Sequence, residues 1–215
     1  KNTKMIKTDT RYNLYINILK EELVPAMGCT EPICLAYAAA KAREILGEMP
    51  DKVDILASDN IIKNVKSVIV PNTNGMKGLK ASVAIGIVGG NAEKELEVIA
   101  NVTPEQKKET EEFLKTIPMT ITHINCQEQL DVTIKLYKAE HSASVRISGF
   151  HTNIVHIQKD NEILFESNTI SKPSAELTDR SILSIEGIYD FANSVDIDDV
   201  KELLERQLKY NKAIS

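Results

Sequence analysis

Tryptophan is absent, cysteine occurs only three times, and neither sign of charge dominates: 31 acidic against 26 basic side chains leave a net charge of −5. Each shortage closes a class of function. The basic residues are spread along the whole length, so no basic face is available to neutralise phosphates and nucleic acid is not an expected partner. The longest apolar runs, PICLAYAAA and ASVAIGIVGG, are about half of the ~20 residues needed to cross a bilayer; both read as buried helices, and no membrane partner is expected. The opening stretch KNTKMIKTDTR follows its positive charges with no apolar segment, so no secretory signal is expected there. Three cysteines at irregular spacing make no disulfide framework, which points to a reducing compartment and a cytoplasmic location.

What remains is an ordinary globular composition, 42% hydrophobic and 27% charged over 215 residues. A chain of that length, as one large domain or two small ones, can bury roughly 70% of its unfolded surface. Residues 10–24 begin at an Asp9/Thr10 capping pair and carry Leu14, Ile16, Ile18, Leu19 and Leu23, a helical pattern that stops before Pro25. A second helix is predicted from Thr30, as its cap, to Leu46, closed by Gly47. KVDILAS alternates as a short strand, SDNIIKN as a brief helix, and KSVIV as another strand. The loop PNTNGMKGLKAS leads into the apolar helix LKASVAIGIVGG, which Gly89 and Gly90 should stop. AEKELEVI reads as a short helix, and Thr103, Pro104 and Gln106 form a capping box for a charged, solvent-facing one.

From residue 119 the periodicity changes to two. LDVTIKLYKA, SASVRISGF, NIVHIQ and EILFES describe an antiparallel meander joined by EHS and KDN. Helices return in SILSIEGIYDFANS and DIDDVKELLERQLKY, where Ile197, Val200, Leu203, Leu204 and Leu208 make one apolar stripe. The expected class is α+β: an N-terminal helical layer, a small antiparallel sheet, and C-terminal helices. The corresponding regions are 1–118, mainly helical; 119–170, the sheet; and 171–215, helices leading toward a further domain. An amphipathic helix with no closing element after it fits the N-terminal piece of a longer protein, and the stripe over 197–211 leaves room for an interface with a second copy.

The chemistry concentrates at GCTEPICLAYAAAK, residues 28–41. A thiol at a helix N-terminus sits where unpaired amides and the helix dipole favour negative charge, so a lowered pKa is expected for Cys29. Pro32 suits the first helical turn, and Glu31 complements its positive end. On the residues alone two roles stay open for Cys29, a reactive thiol or a structural cysteine at a helix start. Cys34, roughly 140° around the helix among apolar neighbours, reads as core, and Cys126 as non-catalytic. The loop VPNTNGMKG supplies amides and a hydroxyl suited to a small carboxylate or phosphate, or simply to a polar turn; it lacks the ending of a P-loop. His151 stands in GFHTNIV between two strands, with Thr152 and Asn153 able to bond a ligand. His123 and His156 are expected half-buried in the sheet and His141 in a turn. No spacing suggests zinc or a serine triad.

EELVPAMGCTEPICLAYAAAKA, then SDNIIKNVKSVIVPNTNGMKGLKASVAIGIVGG, then SGFHTNIVHI resemble, in order over roughly residues 12–165, the N-terminal motifs of the L-cysteine desulfidases, relatives of the alpha chain of iron-sulfur L-serine dehydratases. The most specific element is Gly-Cys-Thr-Glu-Pro at 28–32. The resemblance implies a pyridoxal-free lyase that removes hydrogen sulfide from L-cysteine, with a 4Fe-4S cluster held by three cysteines and one iron open to the leaving group. It makes Cys29 a cluster ligand or proton-transfer group and His151 a catalytic residue. It assigns Thr30, Glu31, Asn64, Thr73, Gly75, Gly78, Thr152 and Asn153 to binding of a small amino acid. The further cluster cysteines of that family lie in a C-terminal half that this chain lacks. The chain alone is therefore expected to hold no stable cluster and to be inactive. A serine dehydratase, an amino-acid-binding module without iron, and a metal-independent cysteine nucleophile with His151 as base are the rival readings.

Overall fold

Short-range signals set most element ends. The computed structural model describes residues 5–26, 28–167 and 177–214, and every structural statement below concerns these. In chain order the helices are α1 (Thr10–Glu22), α2 (Thr30–Leu46), α3 (Asp59–Val65), α4 (Gly78–Gly89), α5 (Pro104–Thr116), α6 (Ile185–Ser194) and α7 (Ile197–Ile214). The strands are β1 (Lys52–Ala57), β2 (Met119–His123), β3 (Asp131–Lys138), β4 (His141–Ser148), β5 (Ile154–Lys159) and β6 (Glu162–Glu166). Asp9 caps α1 through the amide of Arg11, and Thr103 and Gln106 form the reciprocal box that starts α5. Gly47 ends α2 with φ of 87°, a left-handed backbone that glycine adopts without strain. The class is α+β, as the periodicities predict. No described helix is long and apolar enough to cross a membrane.

The chain separates into two compact units, one made of Lys1–Pro25 with Lys172–Ser215 and the other of Ala26–Ser171. The larger unit is built on a six-stranded sheet in the order β2-β1-β3-β4-β5-β6. Every neighbouring pair is antiparallel except β1 with β2, which is parallel. Alternation buries one face: Val53, Ile55 and Ala57 of β1, Val132, Ile134 and Leu136 of β3, and Ala143, Val145 and Ile147 of β4. α2 lies against this face and against α4, which in turn meets α5. A helix covered on both sides must be apolar all round, and α2 is: every residue from Pro32 to Ala40 is buried. Its alanines let α4 come close, at Gly86 so close that a Cβ would lie 2.3 Å from the Ala36 carbonyl oxygen.

Several readings of this unit are corrected, among them His141, which opens β4 opposite Lys138 and does not lie in a turn. KSVIV is a turn with a single bridge from Ile69 to Lys77, because the asparagine- and glycine-rich loop folds straight back on it. AEKELEVI forms only 3-10 turns over Ala92–Glu97, broken where Glu95 takes φ of 47°. His123 is exposed on the edge strand β2, 3.1 Å from Asp59, since an edge strand has cover on one side only. The sheet also takes one strand, β1, from the region that reads as mainly helical, because its parallel partner β2 arrives only after α5.

The smaller unit has its own core of Met5, Tyr12, Tyr15, Ile16, Phe191 and Val200. Tyr15 stacks on Phe191 with ring centroids 5.1 Å apart, and Tyr12 meets the same ring edge-on at 5.7 Å. The Tyr12 hydroxyl donates to Asp199 and accepts from the amide of Asp196, which pins the start of α7 to α1. Of the predicted α7 stripe only Val200 is buried; Ile197 and Leu208 stay 63% and 67% exposed.

Candidate functional site

The chain enters α2 through Gly28, whose φ of 126° excludes an ordinary side chain and whose Cβ, if present, would lie 3.3 Å from Pro71 Cγ. That close approach sets the polar loop beside the mouth of α2. Cys29, not Thr30, occupies the N-cap position, with extended backbone and no capping bond from its side chain. A capping Thr30, as expected from the sequence, would turn its hydroxyl onto the helix amides. Instead Thr30 Oγ1 lies 3.0 Å from His151 Nε2, a hydrogen bond whose direction follows the imidazole tautomer.

The Cys29 thiol is exposed and donates to Glu31 Oε2 at 3.1 Å. Asn64 Nδ2, on α3, reaches the other carboxylate oxygen at 3.4 Å. Five groups from three distant segments, Cys29, Thr30, Glu31, Asn64 and His151, therefore meet at the N-terminus of α2.

The electrostatics reverse one expectation. Partial burial first, and then the hydrogen bond and charge of the Glu31 carboxylate, push the Cys29 pKa up. Burial also works against ionised Glu31, but the Cys29 thiol, its own backbone amide and Asn64 together hold it below the usual carboxylate range. Burial lowers the pKa of half-buried His151, against the pull of the Glu31 charge. At neutral pH the site thus carries a protonated thiol, an ionised carboxylate and a neutral imidazole. Replacing Glu31 by glutamine removes the charge that disfavours the thiolate, so alkylation of Cys29 by iodoacetamide at pH 7 should accelerate several-fold in a Cys126→Ser background. An unchanged rate would show that the carboxylate does not control the thiol.

The other candidates lie elsewhere in the local structure. Thr73 is buried and its hydroxyl donates to the Val70 carbonyl at 2.6 Å. Gly75 and Gly78 take φ of 93° and 87° within the loop, and a Cβ on Gly78 would sit 3.1 Å from the Lys66 carbonyl oxygen. Asn72 holds the carbonyls of Ile99 and Ala100 and receives Lys107 Nζ at 2.6 Å. Thr152 lies in the same turn as His151, its carbonyl accepting from the Ile154 amide, and Asn153 Nδ2 donates to the Ser148 carbonyl at 2.8 Å. The structure thus brings Cys29, Thr30, Glu31, Asn64 and His151 into contact and gives Thr73 and Asn153 bonds to backbone.

Sequence reading missed Asp131, Arg146 and Ser148. Asp131 is wholly buried at the start of β3 and accepts from Arg146 Nη2 at 2.6 Å and Ser148 Oγ at 2.8 Å. A lone carboxylate opening an alternating strand was the signal available; its partners follow only from the β3 to β4 register, which sets Asp131 opposite Ser148.

A 4Fe-4S cluster is commonly held by four thiolates and by three in the family this sequence resembles, and the cysteines here do not supply even three. Cys34 is sealed in the aliphatic core and its pKa is pushed far up, by burial first and then by the charges of Glu31 and Asp131. Cys126 is partly buried, its thiol 3.4 Å from the Glu128 carbonyl, and burial raises its pKa as well. Among the described residues no three His, Cys, Asp or Glu side chains are grouped to hold a metal ion. Cys29, exposed at a helix mouth, suits one ligand position and no more.

No family model and no solved structure matches the chain. Its curated relatives include a protein of Desulfitobacterium hafniense strain Y51, 48% identical over 211 residues, which are 98% of this chain and 49% of the relative. Others come from Lachnoclostridium phytofermentans, 46% identical over 204 residues (95% and 49%), and Treponema denticola, 44% identical over 207 residues (96% and 48%). The chain thus spans about half the length of the relatives it matches, and it is similar to proteins that all bear the name UPF0597, a name that states no activity.

Proposed function

We propose that this chain is the N-terminal part of an iron-sulfur-dependent L-cysteine desulfidase of the cytoplasm, converting L-cysteine to hydrogen sulfide, pyruvate and ammonia. One observation carries the reading: the motif thiol, its carboxylate partner and a neutral histidine, distant in sequence, converge on one helix N-terminus. β-Elimination needs a base for the α-proton, and a neutral imidazole at neutral pH is suited to it. The pair from the Cα–H bond forms the carbon–carbon double bond, the Cβ–S bond breaks with its pair going to sulfur, and His151 holds the proton. The aminoacrylate released then tautomerises and hydrolyses to pyruvate and ammonia. The open end of α2 suits the substrate carboxylate, and ionised Glu31 suits its ammonium. The cluster of the whole protein would draw its ligands beyond Cys29 from outside this chain.

The same apparatus would serve L-serine, whose hydroxyl leaves in place of the thiol. Sulfide and pyruvate release by the full-length protein from each amino acid decides between them; no product from either overturns the reading. Anaerobic reconstitution of this chain with iron and sulfide is expected to give no stoichiometric cluster absorbance, and a full cluster would overturn the assignment of ligands. A binding module without catalysis is the rival that the Glu31 and helix-mouth pair also supports. It requires amino acid affinity that survives Cys29→Ala, together with no turnover in the full-length protein.

A further inference from the structure

His151 sits in a turn, and a turn alone does not aim a side chain. The residues that fix this one lie beneath it. β4 ends at Ser148, whose amide donates to the Asn153 carbonyl at 3.1 Å while Asn153 Nδ2 returns a bond to the Ser148 carbonyl, closing residues 148–153 into a loop. Gly149, with φ of 80°, donates its amide to the Leu130 carbonyl at 2.9 Å, tying the loop to the residue before β3. The Ser148 hydroxyl donates to Asp131 Oδ2, and Arg146 grips the same carboxylate with Nε at 3.1 and 3.2 Å and Nη2 at 2.6 Å.

A wholly buried carboxylate is expensive to desolvate, and well-packed apolar side chains would often hold two strands together equally well. Asp131 instead uses its acceptor sites on two residues of β4, one of them the residue that opens the turn. Such a network limits the turn to one arrangement, with the imidazole against Thr30.

We propose that Asp131, acting through Ser148 and Arg146, is a positioning residue that holds His151 against Thr30 at the mouth of α2. This inference takes His151 as the catalytic base from the lyase reading, but its test needs no turnover. Glu31 on α2 is the charge that acts on the imidazole, and burial is the larger influence on it, so loosening that admits water to the ring raises its pKa.

The test is ring-nitrogen NMR of histidine-labelled chain, following His151 through a pH titration and its contact with Thr30, in the parent, Asp131→Asn, and Ser148→Ala. Ser148→Ala is the milder variant, since the Asp131 and Arg146 pair survives it. Thr110→Ala serves as the control, removing a buried hydroxyl that donates to the Gln106 carbonyl within α5. Both network variants should move the His151 titration up toward the ordinary histidine range and weaken the Thr30 contact. Thr110→Ala should lower the melting temperature without touching either signal. If the network variants merely melt earlier and leave His151 as in the parent, or if nothing changes, the inference is overturned. A full-length protein that lacks lyase activity while His151 still responds to Ser148→Ala would sink the lyase reading and leave this one standing.

Discussion

Replacing His151 by asparagine in the full-length protein is expected to lower kcat for the proposed sulfide release about 10²–10⁴-fold, the range lost with a positioned base. Melting temperature and circular dichroism should stay near the parent values, because the asparagine amide can still bond the Thr30 hydroxyl. The pH dependence carries the sign. Burial lowers the His151 pKa, so the imidazole is in its basic form from neutral pH down through part of the acid range. The acid limb of kcat/KM should therefore fall below the ordinary histidine value. The Glu31 charge opposes that shift, so Glu31→Gln should move the limb further down, toward more acidic pH. If His151→Asn keeps activity within a few-fold of the parent, the base is another group and the site has been misread.

Much of the scaffold was readable because local rules acted alone. α2 begins and ends where Pro32, its unbroken apolar run and Gly47 set it, and α5 starts at a reciprocal capping pair. The meander from β3 to β6 followed from alternation, whose period of two is hard to mistake over eight residues. The failures came where a neighbour outside the window decided the outcome. Val68, Ile69 and Val70 have the side chains of a strand, yet the returning loop closes them into a turn with one bridge. β1 announced itself as a strand without announcing its place, between a parallel and an antiparallel neighbour.

The site divides along the same line. A thiol at a helix mouth was legible from GCTEP, and a dipole argument made it acidic. Partial burial of the thiol, together with a Glu31 carboxylate that accepts its hydrogen bond at 3.1 Å two residues on, keeps the proton on sulfur instead. Thr30 and His151 are 121 positions apart, and only the fold, with the motif resemblance as a pointer, brings them together. Asp131 stood out only as a lone carboxylate opening an alternating strand, and its partners Arg146 and Ser148 follow from the strand register, which the sequence does not show.

Gly86→Ala should be the most damaging small change in the larger unit. An added Cβ would lie 2.3 Å from the Ala36 carbonyl oxygen, 2.7 Å from its Cα and 2.8 Å from its carbonyl carbon. All three are backbone atoms in the stretch of α2 from Pro32 to Ala40 where every residue is buried, so neither a rotamer change nor a shift toward solvent relieves the overlap. Overpacking of this kind costs about 1–3 kcal/mol, occasionally more, and rigid backbone on both sides puts this position at the upper end. Alanine recovers about 1 kcal/mol of helix propensity over glycine, leaving a net loss of about 2 kcal/mol or more. For a domain of this size that lowers the melting temperature by roughly 4–8 °C. Because the clash is with the Ala36 backbone, adding Ala36→Gly should not restore stability; recovery in the double variant would show that the contact is between side chains. The effect should also reach function. Ala36 lies six residues, about 9 Å, along α2 from Thr30, so a lateral shift of the helix moves Cys29 and Glu31 away from Asn64 and His151. The sulfide release proposed for the full-length protein should then fall even at temperatures where the variant remains folded.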